Sequence, residues 1–147
     1  MDLEHKLALL TAILERAAAT LGDITPHVMA AYYLRHPEAV AVFEHHEPGN
    51  RLSLEGEMVG EIVYCLMEWF EAPGKIEVVL VTTVPHHLAT LEIPAVLFHD
   101  LITAVCETIG GTIPAAASAE QAIWAQLCRE IHAVVGLEIA YMDPTWA

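Results

Sequence analysis

Basic side chains are scarce in this sequence. Six Lys and Arg stand against twenty Asp and Glu, for a formal net charge of −14. Nucleic-acid binding depends on several cations neutralising phosphates, so so acidic a chain is excluded from that class and disfavoured at anionic lipid. A long apolar run is missing too. None approaches the roughly 18 residues that read as a membrane span, and Met1-Asp2-Leu3-Glu4-His5-Lys6 has no secretory character, so a cytoplasmic location is expected. Cysteine is limited to Cys65, Cys106 and Cys128. Their odd number and irregular spacing offer neither a disulfide framework nor a zinc site, and each sits in an apolar pattern that predicts a buried, reduced thiol. Phosphate loops, Ser/His/Asp or Cys/His arrangements and paired catalytic carboxylates are also missing, so no residue is assigned a catalytic role. There is no internal repeat, low-complexity tract or interdomain linker, and 147 residues suit one domain with a core over 3–138 and a tail over 139–147.

What is present is helical periodicity. Leu3, Leu7, Leu10 and Leu14 open an amphipathic helix that ends before Gly22-Asp23. Thr25 as N-cap with Pro26 at the first helical position starts a second, which Pro37 interrupts. A short segment from Glu38 to Phe43 precedes the turn Glu47-Pro48-Gly49-Asn50. Ser53 is expected to cap a long helix with Met58, Ile62, Cys65, Leu66 and Trp69 on its apolar stripe. Pro94 opens another helix, which Gly110-Gly111 ends. Ser118 and Gln121 suggest a capping box for the last helix, with Ile123, Leu127, Ile131 and Val134 inward. Lys75–Val84, rich in Ile, Val and Thr, reads as a strand by propensity. No second β-rich run could pair with it, so it is expected to be helical or irregular, in an all-α chain.

Two stretches carry a family likeness. Tyr33-Leu34-Arg35-His36-Pro37-Glu38-Ala39-Val40-Ala41-Val42-Phe43 resembles the end of the second helix and the short third helix of bacterial single-domain and flavohaemoglobin-type globins. There a His-Pro-Glu turn precedes the phenylalanine that stacks on haem. His87-Leu88-Ala89-Thr90-Leu91-Glu92-Ile93-Pro94-Ala95-Val96-Leu97-Phe98 resembles the globin segment that carries the proximal histidine, then a leucine, an aliphatic residue and an aromatic residue at these intervals. Trp124 looks like the tryptophan of the last helix in bacterial globins. Alone, a histidine near a helix end is usually an exposed or capping residue; the flanking pattern favours a ligand.

The resemblance implies a globin-like fold of about six to eight helices holding haem b, with His87 as the iron's axial ligand. It implies Phe43 over a pyrrole edge, and Leu91, Ile93, Phe98 and Leu101 on the proximal side. His45 would meet a propionate, with His46 and Arg51 as further candidates in the same loop. The distal position falls on Glu55 or Met58, depending on where a loop gap is placed, with Val59 and Ile62 lining the same helix. His86, one residue from His87, is expected to be exposed, because neighbours on a helix point about 100° apart. His5, His27, His36, His99 and His132 read as surface residues.

Several positions depart from the globin pattern. Met29 stands where these globins carry a tyrosine, neither Glu55 nor Met58 is the usual distal donor, Phe98 replaces a proximal tyrosine, Glu138 is about one residue out of register for the proximal glutamate, and Pro85 is expected to break the helix before His87 unusually late. They argue against oxygen storage and nitric-oxide dioxygenation. The implied function is binding or sensing of a diatomic gas (oxygen, carbon monoxide or nitric oxide), as a homodimer or with a separate redox or signalling partner. The alternative is a haem-free module for another apolar ligand or a protein partner; a redox haem enzyme is a third reading.

Overall fold

Side-chain and backbone chemistry sets where each helix begins and ends in the computed structural model, which describes residues 1–146. Helix α1, Leu3–Leu21, starts where the Asp2 carboxylate accepts the His5 N–H at 2.8 Å. It ends at Gly22, whose φ of 68° suits a residue without Cβ. Helix α2, Thr25–Arg35, carries proline in its first turn. Thr25 is its first helical residue rather than the cap, and Asp23 accepts the Thr25 N–H at 3.0 Å. The His36-Pro37-Glu38 turn separates it from α3, Ala39–His46. Helix α4, Arg51–Glu68, begins one turn earlier than a Ser53 cap requires, and Ser53 lies exposed inside it.

Helix α5, Pro73–Pro85, takes up the whole Val- and Thr-rich segment. Ile76, Leu80 and Val84, four residues apart, are buried, and α5 packs along the last helix. Burial of that stripe overrides strand propensity. Pro85 does not end the rod. A π-helical turn, His86–Thr90, continues it, closed by the Leu91 N–H on the His86 carbonyl at 3.0 Å. Helix α6, Ala95–Gly110, follows Pro94. Helix α7, Ser118–Met142, runs past Glu138, so the expected tail shrinks to Asp143–Trp146; Ala147 lies outside the described residues. The expected capping box does not form at its start. Gln121 instead donates its amide to the carbonyls of Ile113 and Pro114.

All regular structure among the described residues is helical, and none of these helices is long and apolar enough to cross a membrane. Helices α1, α2, α4, α5, α6 and α7 meet around one continuous apolar cluster that includes Ile13, Val28, Leu66, Ile76, Val105, Leu127 and Val135. Trp124 is buried in it and donates its indole N–H to the Cys106 carbonyl at 3.0 Å.

Candidate functional site

The cores of α3, α4, α5 and α6 do not close against one another completely. They leave a cavity of about 340 Å³, within the size range of sites that hold a small organic ligand. Phe43 and Val42 come from α3. Leu54, Met58, Ile62 and Cys65 come from one face of α4, at spacings that a helix brings into line. Leu80 and Thr83 of α5, then His86 and His87 of the π turn, Leu91 and Ile93, form the opposite wall, and Leu97, Phe98, Leu101 and Ile102 of α6 close it. Tyr32, Glu61 and His46 add polar atoms to a lining that is otherwise largely apolar.

His87 is the best-defined polar group there. Its Nδ1 lies 2.9 Å from the Thr83 carbonyl. A carbonyl only accepts, so Nδ1 carries the proton and Nε2 keeps its lone pair. Burial lowers the pKa of this ring below the usual histidine value, and the nearby His86 and His46 act in the same direction. The Thr83 bond and Glu61 oppose that shift without cancelling it. The Phe98 ring packs 5.1 Å from the imidazole, centroid to centroid, and limits its rotation. The backbone after it is shaped with equal care. The Ile93 N–H donates to the His87 carbonyl at 2.9 Å, and Glu92 takes a left-handed φ of 56°. That conformation costs a non-glycine residue about 1 kcal/mol or more.

The other inward aromatic, Tyr32, donates its hydroxyl to the Leu97 carbonyl at 2.8 Å. Burial raises its pKa well above the usual tyrosine value, so it stays a neutral phenol committed to the backbone. Cys65 is likewise a neutral thiol, its pKa pushed up to about 11 by burial first and Glu61 second.

The sequence-derived residues divide between the cavity and its surroundings. His87, Phe43, Met58, Ile62, Leu91, Ile93, Phe98 and Leu101 all line it. His45, Arg51, Glu55 and Val59 do not. His45 is exposed on α3, and its neighbour His46, a helical step of about 100° on, faces the cavity instead. Glu55 is buried on another side of α4, where it accepts the Tyr33 hydroxyl at 2.7 Å and Arg51 at 2.8 Å. Arg51 reaches Glu44 as well, at 3.6 Å, and lies over the Tyr33 ring. That closed unit leaves Met58, not Glu55, on the cavity wall. Val59 lines a separate apolar groove, about 530 Å³, between α1, α2 and α4.

Sequence reasoning missed Tyr32, Glu61 and Thr83, and it ranked His46, which lines the cavity, behind His45, which does not. Tyr32 and Tyr33 are adjacent, so pattern alone does not say which turns inward. Thr83 was discernible as the carbonyl one helical turn before His87. His86 is exposed as expected, yet it also edges the cavity. His36, His99 and His132 are not free surface residues: all three are partly buried and hydrogen-bonded to one another's neighbours around Asp100 and Thr103. His5 and His27 are exposed. Among the described residues no three His, Cys, Asp or Glu side chains gather as a metal-binding set. Compared with protein-family models, curated proteins and solved structures, the chain matches none.

Proposed function

We propose that this chain is a globin-like haem protein that holds haem b in the cavity with His87 on the iron and binds a diatomic gas for carriage or sensing. The observation that carries the reading is the state of His87: half-buried, neutral, oriented through Nδ1 by the Thr83 carbonyl, with Nε2 available at an apolar cavity. A metal-binding histidine needs this combination, because the hydrogen bond of one ring nitrogen fixes the tautomer and direction of the other. The helix order, with a short third helix after His36-Pro37-Glu38 and a histidine following the fifth, supports it.

The residues present suit a flat apolar macrocycle. Phe98, Leu91, Ile93 and Leu101 would pack the His87 side and exclude water, while Phe43 would cover an edge. Haem supplies, when bound, an open coordination position for a small gas. On the α4 side the chain offers Met58 and Ile62, and the Tyr32 hydroxyl is spent on Leu97. Carbon monoxide and nitric oxide, which depend less on a hydrogen-bond donor than oxygen does, are therefore the favoured ligands. The rim offers His46 and His86 to the propionates.

One observation favours the haem-free reading: the rim holds Glu61, while Arg51 is turned away towards Glu44 and Glu55. Haemin titration separates the two. The expected result is a saturable Soret change at about one equivalent per chain. Titration without saturation would overturn the haem reading and leave an apolar-ligand module, recognisable by uptake of an environment-sensitive apolar dye.

A further inference from the structure

Helix α7 buries one side in the core and leaves the other without a partner in the chain. Its exposed residues beyond Ala122 are Ala125, Arg129, Ala133, Leu137 and Tyr141, one helical turn apart, so they form a single stripe. Leu137 is 73% exposed and Tyr141 89%. No acid stands among them, in a chain with twenty carboxylate side chains. The next longest helices both expose glutamates, Glu4 and Glu15 on α1 and Glu57 and Glu61 on α4. The glutamates of α7 lie partly buried beside the stripe, Glu120 paired with Arg16 and Glu130 and Glu138 further along. Arg129 is the one charge on the stripe, and among the described residues no carboxylate pairs with it. Leu34 of α2 is comparably exposed, yet the residues one turn before it are Ala30 and Ala31, and the neighbouring Arg35 is spent on Glu107.

We infer that this stripe is an interface with a second copy of the chain: two chains pair about a two-fold axis through antiparallel α7 helices.

The order of side chains makes the stripe complementary to itself, as a two-fold contact requires. It runs Arg129, Ala133, Leu137, Tyr141, and an antiparallel copy meets it as Tyr141, Leu137, Ala133, Arg129. With the axis midway between Ala133 and Leu137, each leucine lies on an alanine and each guanidinium on a tyrosine ring. Small opposite large lets the two helices approach to a packing distance of about 8–10 Å. Arg129 on Tyr141 is a cation–π contact, stronger once water is excluded. Glu138, three residues before that ring, gives the same guanidinium a carboxylate. A parallel pairing in register would instead set arginine on arginine. Over most of the surface, two chains of charge −14 repel, so a face without exposed acid is where they can touch. From Ala122 to Tyr141 the stripe is about 30 Å long and a helix is about 10 Å wide, so the contact buries about 300 Å² or more on each chain. That falls short of the roughly 1,000 Å² total of a stable interface, so pairing is reversible, with a Kd on the order of 100 µM.

Sedimentation equilibrium of the full chain tests this. Between about 5 and about 500 µM, a range that brackets that Kd, the weight-average mass should rise from that of one chain towards that of two. At a fixed concentration it should be higher in about 300 mM than in about 10 mM sodium chloride, because salt screens the general repulsion. Ala133→Glu, which sets a carboxylate beside the axis, and Tyr141→Ala should each weaken pairing by about tenfold or more. Tyr141→Phe, which keeps the ring, should pair like the wild type, and so should Leu34→Glu on α2. All three positions are exposed, so far-UV helicity should stay at the wild-type value in every variant. No residue of the stripe lines the cavity, so haemin binding and pairing are lost independently. A chain that stays monomeric at the highest concentration would overturn the pairing and leave the stripe to a different protein. Association that survives Ala133→Glu, that Leu34→Glu abolishes, or that weakens as salt is added would overturn it as well, by moving the contact to another face or making it ionic.

Discussion

At the scale of residues, the proposed site depends on which of two adjacent histidines does the work. His86 and His87 both edge the cavity, with ring centroids 5.7 Å apart. Only His87 is half-buried and tied through Nδ1 to a backbone carbonyl. His87→Ala should therefore weaken haemin binding by more than about 100-fold, since loss of a mere orienting partner already costs about 10–100-fold at metal sites. His86→Ala should leave the titration close to wild type. Spectra recorded on both variants decide it: if His86 proves essential and His87 dispensable, the π turn presents the other ring to the ligand. The spacing from His87 to Leu91, Ile93 and Phe98 was readable from sequence because those residues are close in the chain, running from the π turn through its short connection into the first turn of α6. Glu55, Val59 and Arg51 were misplaced because a turn at α4's start, a few residues of loop, sets which face of that helix looks inward. A rotation of about 100° per residue moves a side chain from cavity to core.

At the scale of elements, glycines with equal helix propensity differ by what surrounds them. A Cβ on Gly110, at the end of α6, would lie 3.1 Å from Trp124 Nε1 and 3.2 Å from Cδ1. That indole cannot yield freely, because its N–H is bonded to the Cys106 carbonyl. Gly110→Ala should therefore destabilise the chain by about 1–3 kcal/mol, as overpacking does. Gly136 in α7 has nothing within 4 Å of its would-be Cβ. There alanine should stabilise by up to about 1 kcal/mol through helix propensity alone. Urea unfolding of the two variants measures both signs, and equal signs would show that the α6–α7 packing is looser than described. The same contest between local preference and packing decided α5. Its Val and Thr residues favour a strand, but a strand without a partner leaves its backbone unpaired, and the buried line of Ile76, Leu80 and Val84 is available only to a helix.

At the scale of the whole molecule, charge of one sign dominates. Four of the six basic side chains, Arg16, Arg35, Arg51 and Lys75, are already engaged with carboxylates. The remaining acids repel one another across the surface, which favours the expanded chain. Raising sodium chloride from about 10 mM to about 300 mM shortens the screening length from about 30 Å to well under 10 Å. The thermal midpoint should accordingly rise by a few degrees at neutral pH. A midpoint that falls with salt would mean that the ion pairs, bidentate Arg16–Glu120 above all, outweigh the general repulsion.

The sequence by itself determined helical class, the approximate limits of most helices, the lack of an apolar run long enough to read as a membrane span and the candidate status of His87 and Phe43. These are local or compositional properties: periodicity, proline and glycine stops, and short-range spacing along one strand of chain. Only the tertiary structure decided that Met58 rather than Glu55 faces the cavity, that His46 replaces His45 at its rim, and that Tyr32 spends its hydroxyl on Leu97. It alone brought His36, His99 and His132, from three helices, around Asp100. Contacts between residues 30 to 100 positions apart depend on how each helix is rotated about its axis when it packs, and that rotation is set by the burial of all helices together, which no single segment encodes.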